Sequence, residues 1–190
     1  MMNWKNNTQH YGWLSISLHW LMALLILAAF ASIEMRGLFE KGSETRDLIK
    51  HIHFMLGLSI LALVLIRLSL RLFQTQPVTL SAEPSQQKLS KIMHWTLYVF
   101  MLFMPILGWL TISAEGKQLL IFGTQLPQLV MENHDLAEFF EESHEILGQF
   151  GYLLIGLHAL AGILHHYLWH DATLMRMLGR NGQTNSANSL

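Results

Sequence analysis

The sequence predicts an all-α integral membrane protein, a four-helix up-down bundle, and three observations carry that prediction. Hydrophobic residues make up 52% of the 190 residues and charged residues only 13%, against roughly 25% charged in an ordinary soluble domain. Four stretches, about 13–33, 52–73, 92–112 and 146–168, reach the roughly 20 mainly apolar residues that a helix needs to cross a bilayer. None of them alternates with the period of two that marks a barrel strand. Disorder is excluded, because so much apolar surface would not stay solvated.

Each span has its own markers. Tyr11 and Trp13 stand at the entrance of the first, as interfacial aromatic anchors do. Within it, Ala29-Phe30-Ala31 has the look of a cleavage site. The stretch is long for a signal peptide, has only Lys5 ahead of it and contains His19, so a retained helix is expected. Pro77, Ser81 and Pro84 mark a turn-rich connection between the second and third spans. Trp95 and Trp109 flank the third, and Pro105 should bend it. In the long connection 113–143, Leu136, Phe139 and Phe140 recur at helical spacing among Glu132, Asp135, Glu138, Glu141 and Glu142. That pattern predicts an amphipathic acidic helix leading into the fourth span, whose far end carries Tyr167 and Trp169. A single membrane domain over residues 1–180 is expected, with 181–190, rich in Asn and Ser, a disordered tail.

Charge sets orientation and excludes partners. The N-terminal segment, the second connection and the tail together hold seven Lys/Arg, and the other two connections hold five. The positive-inside rule therefore places both termini in the cytoplasm. A formal net charge of −1 offers no footprint for nucleic acid. The absence of cysteine excludes disulfides, thiolate metal sites, iron–sulfur clusters and covalently attached haem.

The chemistry lies in the histidines, eleven in all, because ionisable groups inside a membrane are costly and by default functional. In the fourth span, His158 follows His144 by fourteen residues, which is ~21 Å along the axis and within ~40° of the same stripe. His165 continues that stripe, Gly151 lies midway between His144 and His158, and Gly148, Gly156 and Gly162 are near. Glycines there let a flat object or another backbone approach closely. Up-down alternation puts His53 at the depth of His144, near the outer end, and His19 at that of His158, near the inner end. Two facing histidines at one depth can supply both axial ligands of a haem iron. A transition-metal or proton path is the alternative, and His94 could replace His19 or His158 at the inner level.

Taken together, Ser17-Leu18-His19-Trp20, Glu34-Met35-Arg36-Gly37, His53 with Gly57, Arg67 with Arg71, the segment from Gly148 to His158, and His165-His166-Tyr167 resemble bacterial cytochrome b561. The similarity runs from about Tyr11 to Gly179. The resemblance implies a four-helix inner-membrane cytochrome with two noncovalent haems b. It implies His53 and His144 as ligands on the periplasmic side and His19 and His158 on the cytoplasmic side. The implied chemistry is one-electron transfer between the periplasmic side and the quinone pool, with superoxide oxidised and ubiquinone reduced in the superoxide oxidase branch.

Propionate carboxylates call for cations, and Arg36 on the outer side and Arg67 on the inner side are the expected partners. Arg67 follows His53 by fourteen residues and so should approach the inner level. A quinone headgroup needs a proton source at the inner interface, where Arg71 and His165 are the expected residues. The outer connections carry five Lys/Arg against eleven Asp/Glu, a balance of −6 that should repel superoxide unless Arg36, Arg46 and Lys50 form a local patch. An electron-carrier subunit serving a periplasmic redox protein is therefore the second reading, and a histidine-based ion or metal transporter the third.

Overall fold

The computed structural model describes residues 3–80, 83–118, 120–121 and 124–179. The expected tail at 181–190 lies outside them. Four long helices dominate: α1 (Trp13–Arg36), α2 (Glu44–Phe73), α3 (Pro84–Ala114) and α4 (His134–Tyr167). All four are long and apolar enough to cross a membrane.

Every helix but the first outruns its predicted span by several residues, and the reason is local. Hydropathy reports only the bilayer-crossing part, whereas capping residues fix where a helix starts. Ser43 caps α2 by accepting from the Arg46 N–H, with Glu44 and Asp47 in its first turn. Pro84 stands at the start of α3, where its missing N–H costs nothing. Asn133 caps α4 by accepting from the Leu136 N–H at 3.0 Å. The predicted acidic amphipathic helix is thus the first turns of α4 itself, continuous with the span.

The remaining elements are short. A two-residue antiparallel hairpin, β1 (Leu120–Ile121) with β2 (Thr124–Gln125), sits in the third connection. Nothing in the sequence pattern marked it. That connection turns at Gly116 (φ 69°) and is tied back by Asn133 N–H to Ala114 O and Trp109 Nε1 to Pro127 O. A short helix, α5 (Thr173–Met177), follows α4. Its Arg176 donates to Val78 O in the second connection, and Val78 N–H donates to Thr8 O in the N-terminal arm. Both termini of the described chain therefore meet at one end of the bundle, as up-down topology requires.

The core is thin for a chain this apolar. Met22, Val64 and Tyr98 form its buried centre, joining α1, α2 and α3. Leu24, Leu27, Phe103, Leu153 and Ile163 stay exposed, which is costly in water but suits a lipid-facing surface. Helix α1 packs along α2, α2 along α3 and α3 along α4. Helices α1 and α4 instead meet through long side chains. Phe30 packs on Tyr152 with ring centroids 4.3 Å apart and Tyr152 donates to Glu34 at 2.6 Å, while Trp20 Nε1 of α1 reaches α5 by donating to Met177 O at 2.7 Å.

Candidate functional site

Two pairs of histidine rings face each other at the two depths expected. At the level nearer the α1–α2 turn, called outer after the expected orientation, His53 of α2 and His144 of α4 have ring centroids 6.1 Å apart with an interplanar angle of 79°. At the inner level, His19 of α1 and His158 of α4 are 6.2 Å apart at 66°. Two imidazoles binding one metal ion from opposite sides through bonds of about 2.0 Å, each ligating nitrogen about 1.1 Å from its ring centre, hold their centroids about 6.2 Å apart. Both spacings suit one metal ion between two rings, and neither allows direct stacking.

The outer pair is oriented by its surroundings. His53 Nδ1 lies 3.1 Å from both Ala29 O and Ser32 Oγ, and the Ser32 hydroxyl itself donates to Ala29 O at 2.7 Å. The Ser32 proton being so used, Nδ1 must be the protonated nitrogen of His53. That leaves the Nε2 lone pair free, the tautomer a metal ligand needs. Ser32 is one of the few buried polar residues, and as a hydroxyl in an apolar helix at His53's depth it was a signal that sequence reasoning passed over. His144 Nδ1 is buried beside the Met104 backbone, without a well-formed hydrogen bond among the described residues. A Cβ on Gly108 would stand 3.4 Å from its ring, so glycine there lets that ring lie close to α3.

Arg67 of α2 lies beside the inner histidines. Its charge lies within electrostatic reach of His19, His94 and His158. Its Nε donates to Tyr98 at 3.3 Å, while Nη1 is buried without a partner among the described residues. A buried guanidinium nitrogen left unpaired is unfavourable unless an acceptor arrives, so this atom fits a cofactor carboxylate. Arg36 lies within electrostatic reach of His53 at the outer level. Between the levels, the ring tips of Phe100 and Phe30 press on Gly151 so closely that a Cβ there would stand 2.5 Å and 3.0 Å from them.

His94 of α3 completes an inner cluster, its ring centroid 5.7 Å from that of His158. Among the described residues no three His, Cys, Asp or Glu side chains converge on a point that could hold a metal ion. A transporter site built from protein ligands therefore has no such cluster there, whereas a macrocycle that supplies four ligands of its own needs only the two rings on either side.

Arg71 and His165 do not meet. Arg71 lies over the rings of Trp95 and Tyr98 at 6.0 Å and 5.5 Å. His165 pairs with Asp171 at 2.5 Å and packs on Trp169 at 4.8 Å. Partial burial pushes the Asp171 carboxyl up, but hydrogen bonds from Thr173 and His165 outweigh it and hold the group below its ordinary value of 3.8.

Comparison with known proteins identifies the family. Residues 10–180 match the family described as prokaryotic cytochrome b561. A probable superoxide oxidase CybB of Yersinia pestis is 36% identical over 169 residues, covering 88% of this chain and 95% of that protein. Cytochrome b561 homolog 1 of Escherichia coli is 33% identical over 180 residues, covering 94% and 99%. Homolog 2 of the same organism is 27% identical over 189 residues, covering 95% and 97%. The chain is a multi-pass membrane protein of the prokaryotic cytochrome b561 family, and that membership implies b-type haem.

Proposed function

We propose that the protein is an inner-membrane cytochrome with two haems b, which passes single electrons between the periplasmic side and the quinone pool as a superoxide:ubiquinone oxidoreductase. The observation that carries this reading is the pair of facing histidine couples, His53 with His144 and His19 with His158, at 6.1 Å and 6.2 Å. Both termini then lie in the cytoplasm. Haem supplies one-electron storage at each level. The protein's part is to fix, charge and separate the two sites.

Four contributions follow from the residues. Ser32 and Ala29 O hold His53 in one tautomer. Arg67 offers the inner cofactor a part-buried cation with one buried guanidinium nitrogen, held in place by Tyr98, and Arg36 offers a part-buried cation at the outer end. Phe30 and Phe100, packed on Gly151, fill the space between the levels with apolar rings and so keep water from it. On the cytoplasmic side, where a quinone takes up two protons with its two electrons, the His165–Asp171 pair is the proton source, and Arg71, over Trp95 and Tyr98, is a separate cation on α2. Two superoxide ions leave as dioxygen for each quinol formed.

A specific observation favours a second reading. The ends of α3 and α4 enclose an outer cavity of about 510 Å³ lined by Glu115, Glu132, Glu138 and Glu141, and the one lysine on it, Lys117, is paired with Glu115 at 2.8 Å. That corner suits a cationic redox protein better than an anion. Arg46 meanwhile donates to Arg36 O and Phe39 O at the α1–α2 turn, gathering positive charge where superoxide could enter. The test is stopped-flow reduction of the purified protein by superoxide at rising ionic strength, followed by ubiquinone reduction. A fast reaction that slows with salt supports entry at the cationic turn. No reaction with superoxide, but rapid and salt-sensitive reduction by a small basic redox protein, replaces the first reading with the second.

A further inference from the structure

We propose that His94 is a reserve axial ligand of the inner haem, able to take the iron together with His158 when His19 is withdrawn. The proposal rests on the haem reading above and concerns a residue to which that reading gives no task. The ring of His158 faces two imidazoles: His19 of α1 at 6.2 Å and 66°, and His94 of α3 at 5.7 Å and 72°. The first spacing equals the separation of about 6.2 Å expected across a metal ion, and the second falls short of it by about 0.5 Å, a shift that a small turn of either side chain supplies. The three rings do not converge on one point, so the arrangement is one of alternatives, with His158 common to both.

Among the described residues the outer level shows no such alternative. His53 and His144 face each other, and the other ring contact there is Phe54, whose side chain cannot bind iron. The two helices that would exchange the inner iron are also differently supported. Helix α3 packs along α4, which carries His158, whereas α1 meets α4 through the side chains of Phe30, Glu34 and Tyr152. His94 therefore sits on the firmer of the two walls. Arg67, within electrostatic reach of all three inner histidines, serves a carboxylate in either arrangement.

The experiment compares spin state and haem content in the full-length detergent-solubilised chain, by absorbance and low-temperature electron paramagnetic resonance. His19→Ala keeps two haems per chain with both low-spin and six-coordinate, whereas His53→Ala turns one of its two haems high-spin. Adding His94→Ala to His19→Ala then converts the inner haem to the high-spin form or loses it. If His19→Ala alone is as high-spin as His53→Ala, the proposal fails while the haem reading stands. If the double variant stays low-spin, some other group binds the iron and the proposal fails again. Wild-type protein without haem overturns both. Should His19→Ala not accumulate, His19→Gly is prepared with imidazole, which is then dialysed away. Retention of a low-spin inner haem is the expected result, and a high-spin or lost inner haem overturns the proposal.

Discussion

Replacing Ser32 with alanine tests how the outer site is tuned. Ser32 is buried, and its hydroxyl is one of two acceptors for the His53 Nδ1 proton, each at 3.1 Å. Alanine removes that acceptor and leaves Ala29 O in place. A neutral hydrogen bond is worth about 1 kcal/mol net, so the variant stays folded and His53 keeps its tautomer. The bond also matters electronically, since an acceptor on Nδ1–H makes the opposite nitrogen a stronger donor. A stronger donor favours the ferric state, so its loss raises the midpoint potential. If the whole 1 kcal/mol is felt by one oxidation state, the rise is about 40 mV for a one-electron couple. Potentiometric titration of Ser32→Ala should show one haem shifted upward by up to that amount and the other unmoved. Equal shifts of both haems, or a downward shift, would refute the assignment of Ser32 to the outer site.

Three further outcomes follow. Arg67→Gln removes a half-buried positive charge while keeping the Tyr98 hydrogen bond within reach. It should lower the inner midpoint by tens of millivolts and leave the outer one in place; an unchanged pair of potentials would place the cation elsewhere. Gly151→Leu must displace ring tips that a Cβ alone would meet at 2.5 Å and 3.0 Å, so thermal unfolding in detergent should report a loss of about 1–3 kcal/mol, and unaltered melting would mean the rings are not packed as described. The Asp171 carboxyl, held below its ordinary value of 3.8 in the folded protein, adds stability that is present above that value and lost as pH falls through its lower folded value. The difference in melting temperature between wild type and Asp171→Asn should therefore shrink on acidification from about pH 6 to about pH 3; a gap that widens would reverse the sign of the argument.

Particular residues explain how far the sequence could be read. The spans were legible because bilayer thickness demands apolar runs of a set length, and the histidine depths followed once the helices alternated in direction. Arg67 was legible at the inner level for the same reason. The His94 problem was visible too, but depth alone could not say which rings turn toward His158; that depends on helix rotation, which a lipid-facing apolar surface leaves weakly marked. The early start of α4 at His134 depends on one cap, Asn133, inside a polar stretch whose hydropathy says little. Contacts between distant segments stayed hidden. The separate partners of Arg71 and His165, the Trp20 bond to α5 and the Ser32 bond to His53 arise from how the helices are turned and packed, not from spacing along the chain.

The measurement that bears most directly on the account is the haem b content per chain of purified protein made with ample haem supply, taken with a reduced-minus-oxidised spectrum. Two haems b per polypeptide, both low-spin, is the predicted result. One haem would contradict the assignment of two separate histidine couples, and none would contradict the cytochrome chemistry on which the whole reading of the site depends.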